Sequence, residues 1–194
     1  MLHPILQRVE DVGGKVFTQG DWNLNIVGIR NPKSTPNKSD DEMHVIYKEA
    51  GQWVDRWWPI TTDPGTYWLE HPMNKLGTAA VVADRQYKGV WALGKHKGKY
   101  EALVQVKPIS VHRDNDLNSK VEYSQDNIQD GLFGINCHRS SASEFGSVNV
   151  DKWSAGCQVF ANPHDFGCFM LVCNTQAQKR GWKTFTYTLL NGGW

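Results

Sequence analysis

The sequence lacks the charge pattern of a nucleic-acid-binding protein and the apolar run of a membrane span. Its formal charge is +1, from 21 basic and 20 acidic residues, and no basic stripe runs along it. Phosphate recognition needs such a stripe. No apolar run approaches the roughly 18 residues that a spanning helix needs. We therefore expect no nucleic-acid partner and no membrane insertion.

Cysteine is also scarce, and its spacing excludes several kinds of site. The four cysteines, Cys137, Cys157, Cys168 and Cys173, show no C-x-x-C spacing. This argues against a disulfide scaffold and against a structural zinc site. The H-E-x-x-H pattern of zinc peptidases is missing too. We expect reduced cysteines, no metal and no cofactor.

The N-terminal stretch has no basic segment followed by a long apolar one, so it does not predict a secretory signal. We expect synthesis in the cytoplasm. We interpret residues 1–20 as an ill-defined arm and residues 21–194 as a single domain. A chain of 194 residues is long enough for one domain with its own hydrophobic core and short for two such domains. We expect a monomer.

The sequence does contain many short β-rich segments separated by turn signals. They lie at 24–29, 44–47, 52–57, 79–83, 89–93, 102–112 with a break at Pro108, 133–138, 158–160 and 184–189. Short segments at such spacing predict a mainly β (α+β) fold.

One prominent helix is predicted in the C-terminal half. Asn162 is a suitable N-cap, Pro163 suits the first helical position, and Gly181 suits the C-terminal end. Apolar residues recur between them at helical spacing: Phe166, Phe169, Met170, Cys173 and Ala177. The helix should therefore face the core, with Cys168 and Cys173 both structural.

The candidate catalytic residues are His138 and Cys157. A free thiol with a pKa of about 8.5 is mostly protonated at neutral pH, and its thiolate is the nucleophile. An imidazole within reach can take that proton and pass it to a leaving amine. Gly156 allows a sharp turn that exposes its own N–H and that of Cys157 to an oxyanion. The residue types alone leave open that both side chains are inert core residues.

Residues 134–138 (GINCH) and 154–157 (SAGC) resemble the catalytic motif of the L,D-transpeptidase (YkuD-like) family, G-I-x-x-H-G followed by S-H-G-C-x-R. Residues 62–67 (TDPGTY) resemble that family's T-P-x-G-x-Y/F stretch. The longer segments 95–108 and 151–166 are similar to small lysin-like proteins carried by bacteriophages. The resemblance implies an L,D-transpeptidase-like β-sandwich or barrel.

The same resemblance implies a cysteine peptidase that cuts peptidoglycan stem peptides through a thioester. Cys157 would be the nucleophile and His138 the base, oriented by the backbone carbonyl of Arg139. We expect five further residues to contact substrate: Trp153, Ser154, Gln158, Thr62 and Tyr67. The residue types leave open that Ser154 hydrogen-bonds the loop instead and that Trp153 has a packing role. The protein would reach the cell wall through a holin-type pore or as part of a virion.

Three departures from the family motif bear on the activity. Arg139 stands where the family has glycine, Ala155 replaces its second histidine, and Val159 replaces an arginine that binds a substrate carboxylate. Arg139 is a candidate to supply that charge instead. These changes favour hydrolysis over cross-linking or exchange. A non-catalytic, wall-binding phage protein is the alternative from another class.

Overall fold

The structure is a computed structural model that describes residues 2–35 and 37–194, and most of its strands close into one barrel. The barrel order is β1-β11-β5-β6-β9-β10-β3-β2. Its strands are β1 (Asn25–Arg30), β2 (Asp41–Glu49), β3 (Gln52–Thr61), β5 (Arg85–His96), β6 (Tyr100–Gln105), β9 (Cys137–Arg139), β10 (Gln158–Phe160) and β11 (Thr184–Asn191). The prediction of a mainly β fold is confirmed.

A second sheet of three antiparallel strands has the order β4-β7-β8. Its strands are β4 (Thr78–Val81), β7 (Ile109–Asp114) and β8 (Ile128–Gly131). The segment 102–112 is therefore not one interrupted strand. β6 ends at Gln105 in the barrel, and β7 begins after Pro108 in the other sheet, because proline lacks the N–H that would continue the ladder.

The predicted helix α3 (Pro163–Arg180) packs into the main core. The Asn162 side chain accepts a hydrogen bond from the His164 amide at 2.7 Å, and Gly181 ends the helix with φ +72°. Its buried side chains join those of the inward-facing strand residues: Phe166, Phe169, Met170, Val172 and Cys173. Cys168 is instead exposed, so predicting it as a structural core residue is wrong. It directly precedes Phe169 and lies about 100° around the helix from it.

The prediction of an ill-defined arm over residues 1–20 is also wrong. Helix α1 (Pro4–Asp11) packs Ile5, Leu6 and Val9 onto outward-facing apolar side chains of the barrel, namely Val27, Ile46 and Leu190. This short amphipathic helix covers a barrel face that would otherwise expose apolar area. None of the helices in the described ranges is long and apolar enough to cross a membrane.

Candidate functional site

The parallel pairing of β9 with β10 brings the two motif halves together. His138 lies opposite Val159 in this register, and Cys157 directly precedes β10. The Asn136 amide donates to Cys157 Sγ at 3.4 Å, and the Asn136 carbonyl accepts from the amide of Gln158 at 3.0 Å. The residues just before β9 are therefore hydrogen-bonded to those at the start of β10. The Cys157 thiol lies at the end where this strand pair begins.

The tautomer of His138 is fixed by the backbone. Its Nδ1 lies 2.8 Å from the Arg139 carbonyl oxygen. Because a carbonyl can only accept, Nδ1 carries the hydrogen and the Nε2 lone pair is free. The Tyr100 hydroxyl donates to the same carbonyl at 3.1 Å. Burial, with the nearby His96, lowers the pKa of His138 to about 3, so the imidazole is neutral at pH 7.

His96 and Tyr100 belong to this site, although sequence reasoning placed neither there. They are cross-strand partners at the end of the β5–β6 hairpin. The His96 ring stacks on His138 with centroids 3.8 Å apart, and the Asn136 side-chain amide donates to His96 Nδ1 at 3.2 Å. Burial lowers the pKa of His96 as well. The one sequence signal was the H-x-x-x-Y spacing across a glycine turn, which is too common to be specific.

The thiol of Cys157 is neutral in this arrangement. Its Sγ–H points to the Gly134 carbonyl at 3.4 Å, and within the described residues it makes no hydrogen bond to His138. Burial of the sulfur raises the pKa of Cys157 to about 11, while the Asn136 amide acts in the opposite direction. The resting pair is thus a thiol and a neutral imidazole. Proton transfer needs the thiol to turn away from Gly134.

The loop before the cysteine is built around Gly156. Its φ is +119°, and an added Cβ would lie 2.5 Å from the Ala79 carbonyl oxygen, so a side chain is excluded. The Gly156 amide donates to Ser154 Oγ at 3.1 Å, and that hydroxyl donates to the Cys157 carbonyl at 2.8 Å. The Gly156 N–H is therefore occupied. The Cys157 N–H has no acceptor in the described part of the chain and is the candidate oxyanion donor.

Three of the side chains predicted to contact substrate are fully buried. Ser154 holds the loop, as described above. Gln158 points into the barrel, where its Oε1 accepts a hydrogen bond from the Tyr187 hydroxyl at 2.6 Å. Thr62 donates to an Asp41 carboxylate oxygen at 2.8 Å. Alternation along β10 turns Gln158 inward and leaves Val159 on the side of His138.

Two predicted contacts lie at the surface beside the loop. Trp153 is 44% exposed. Tyr67 lies in the short helix α2 (Thr66–Glu70), with the Lys152 ammonium 4.0 Å from its ring centroid. The Arg139 guanidinium instead lies 4.3 Å from the Tyr100 ring, so its side chain packs there while its carbonyl orients His138.

A cleft of about 340 Å³ adjoins the cysteine loop. Its lining includes Ile135 and Ala155, which are close to Cys157 in the chain fold, together with Arg113 of β7. Cys157 and His138 are not among the lining residues of this cleft or of the three larger cavities in the described part of the chain. In the described ranges no group of three His, Cys, Asp or Glu side chains is placed to hold a metal ion.

Compared with known proteins, the chain matches no protein-family model, no curated protein and no solved structure. The account of its function therefore depends on the geometry above and on the motif.

Proposed function

We propose that this protein is a cysteine hydrolase that cuts peptide bonds in peptidoglycan stem peptides, within an L,D-transpeptidase-like fold. The observation that carries the proposal is the His138 tautomer. Arg139 fixes the hydrogen on Nδ1 and leaves Nε2 free, on the strand next to Cys157. A neutral imidazole with this tautomer can accept a proton at Nε2.

The chemistry follows from this tautomer. As Cys157 Sγ attacks the amide carbon, its proton passes to His138 Nε2, and the Cys157 N–H stabilises the oxyanion. The C–N bond breaks, and Nε2 protonates the leaving amine. Water then attacks the thioester and gives a proton to Nε2, and that proton returns to the sulfur as the acid is released. No cofactor is consumed.

The raised pKa of the thiol fits a nucleophile that loses its proton only during attack. A preformed ion pair would require a low thiol pKa and a high imidazole pKa, and both shifts here have the opposite sign. The neutral thiol resists attack by other electrophiles. Substrate must therefore displace the Gly134 contact before Cys157 reacts.

The choice of substrate is supported by the motif and by the surroundings of the thiol. The cleft beside the loop and the exposed ring of Trp153 offer a partly apolar wall. A groove of this kind suits an extended peptide more than a compact metabolite. The peptide stems of the cell wall are the substrate that the resemblance implies.

Digestion of purified peptidoglycan tests the proposal. Wild type, Cys157→Ala and the matched control Cys168→Ala should be compared, since Cys168 is exposed on α3 and outside the site. We expect wild type and Cys168→Ala to release fragments cut within the stem, and Cys157→Ala to release none. Exchange of terminal residues instead of release would identify a transpeptidase. Equal release by Cys157→Ala would contradict the proposal.

One observation favours a second candidate, a wall-binding protein whose cysteine and histidine are inert. The thiol has a raised pKa and contacts the Gly134 carbonyl instead of His138. For such a protein, wild type and Cys157→Ala would bind peptidoglycan equally and release nothing. Sedimentation with insoluble peptidoglycan, followed by analysis of the supernatant, separates the two candidates.

A further inference from the structure

Arg113 is a buried cation with no acidic partner. It lies on β7 and is 7% exposed. Its Nε donates to the Gln129 side-chain oxygen at 2.9 Å, and its Nη1 to the Gly77 carbonyl at 3.1 Å. Over residues 2–35 and 37–194, no carboxylate lies within salt-bridge distance of it. Neutral oxygens thus hold the guanidinium in place without balancing its charge.

A buried charge without a counter-ion is costly, so its retention requires a reason. The guanidinium also lies 4.5 Å from the Phe133 ring, which stabilises a cation without neutralising it. Burial lowers the pKa of Arg113, as expected for a cation that no anion supports. Arginine stays protonated in proteins, so the positive charge remains. The missing element is an anion.

The third nitrogen of the guanidinium is available for that anion. Nη2 makes no hydrogen bond within the described part of the chain, yet it is not among the buried polar atoms that lack a partner. It is therefore reached by solvent. Because Arg113 lines the 340 Å³ cleft, this nitrogen is open to a ligand there. No aspartate or glutamate lines the cleft, so nothing in it competes for the charge.

The cleft leads from Arg113 to the cysteine loop. Arg113 is the cross-strand partner of Ala79, and such partners have Cβ atoms about 5 Å apart on one face of a sheet. Ala79 in turn packs against Gly156, whose missing Cβ would contact the Ala79 side chain at 3.1 Å. Ala155 and Ile135 line the same cleft. A ligand held by Arg113 can therefore extend toward Cys157.

We propose that Arg113 is a specificity-determining residue that binds a free carboxylate of a peptide lying in this cleft. The inference rests on the proposed function for the direction of the peptide, but the binding site itself needs no catalysis. The apolar neighbours Phe133 and Ile135 suit the aliphatic part of such a peptide. A charge-assisted hydrogen bond from Nη2 suits a carboxylate oxygen, since Nε and Nη1 already donate to Gln129 and Gly77. The positive charge that binds the carboxylate thus comes from Arg113 on β7. It does not come from position 159, where this chain has valine in place of the family's arginine.

Binding of a dipeptide pair tests the proposal without catalysis. N-acetyl-Ala-D-Ala, which has a free carboxylate, and its C-terminal amide would be titrated into the Cys157→Ala protein and followed by NMR. We expect the acid to bind at least about tenfold more tightly than the amide, as for hydrogen bonds to charged groups. We also expect the acid to shift the Arg113 Nε–H resonance. Equal affinity, binding of neither dipeptide, or an unmoved Arg113 resonance would each overturn the proposal.

The variant Arg113→Gln should lose the preference for the acid, and Arg113→Lys should retain part of it. If Arg113→Gln does not fold, the Arg113 resonance in the parent protein still decides the matter. A preference that survives in folded Arg113→Gln would refute the assignment. The two proposals fail separately. An inactive wild type that still discriminates the dipeptides would contradict only the hydrolase, and an active enzyme that does not discriminate them would contradict only this site.

Discussion

Two buried arginines of this protein have nearly the same surroundings and differ in one respect. Arg30 and Arg113 each lie 4.5 Å from an aromatic ring and each donate to a backbone carbonyl. Arg30 also has an ion pair with Asp63 at 3.0 Å, with Asp41 nearby. In the described part of the chain, Arg113 donates to neutral acceptors alone. The first site is complete in itself, whereas the second is completed by a ligand.

Their pKa shifts reflect the same difference. Burial alone would lower the pKa of Arg30, but Asp63, Tyr123 and Asp41 raise it above its ordinary value. For Arg113 burial acts unopposed, and the pKa falls. A cation with internal partners stabilises the fold, and one without them is retained at a cost. The contrast predicts that folding depends on Arg30 and that function depends on Arg113.

The largest difference between the two sites should be seen in the free energy of unfolding when each arginine is replaced by methionine. Arg30→Met leaves two buried carboxylates without their cation and should lower the free energy of unfolding by about 3–5 kcal/mol. Arg113→Met removes an uncompensated charge and should change it by less than about 1 kcal/mol. Urea denaturation of the two variants measures this. Equal losses would show that Arg113 is as structural as Arg30.

Asp41 of the Arg30 site should contribute to the pH dependence of stability, whereas His138, whose pKa is lowered to about 3, should contribute with the opposite sign over an overlapping range. Burial and Asp63 raise the pKa of Asp41 to about 6, above its unfolded value near 3.9. The stability from its protonated form is complete below pH 4 and is lost as the pH rises through 6, by up to about 3 kcal/mol. The difference in free energy of unfolding between wild type and Asp41→Asn, measured by urea denaturation from pH 4 to 7.5, should therefore fall by this amount as the pH rises, since the His138 contribution cancels in it. An unchanged profile would contradict the assignment.

An anion should stabilise the Arg113 site alone. N-acetyl-Ala-D-Ala at ten times its Kd should add about 1.4 kcal/mol to the free energy of unfolding of wild type. It should add nothing to Arg113→Met. The C-terminal amide is the matched control ligand. Stabilisation of both proteins by the acid would place its binding elsewhere.

The smallest expected effect is protection of the thiol. Because the pKa of Cys157 is raised to about 11, iodoacetamide should label it more slowly than free glutathione at pH 8, with a rate that still rises at pH 10. The acid dipeptide should slow this labelling a few-fold, since the cleft extends to Ala155. A Cys168→Ser background removes the exposed competitor. If a saturating concentration of the dipeptide left the labelling rate of Cys157 unchanged, the cleft would not extend to the thiol.

The sequence was most informative where local rules govern. The Asn162 cap, the glycine that ends α3 and the hairpin over 44–57 all depend on neighbouring residues. The proposed pairing of His138 with Cys157 came instead from the resembling motif. The face of the sheet toward which each side chain of a short strand points was harder to predict. The burial of Gln158 depends on which face of β10 the barrel encloses.

The residues that sequence reasoning missed are joined to the site by pairing of strands distant in sequence. Arg113 reaches the cleft through its register with Ala79, and His96 reaches His138 because β6, the hairpin partner of β5, pairs with β9. No specific pattern of neighbouring residues indicates that either Arg113 or His96 belongs to the site. Helix α1 was missed because its three apolar side chains have meaning only against the barrel face that they cover.

The central claim is that Cys157 forms a thioester with a peptide of the cell wall. The most direct measurement is the mass of the protein after a rapid acid quench during digestion of soluble peptidoglycan fragments, followed by peptide mapping. We predict an acyl adduct on the peptide that contains Cys157, and none on the peptides that contain Cys137, Cys168 or Cys173. Stem-peptide release by the Cys157→Ala variant, or release by wild type with no adduct under any quench time, would contradict the account.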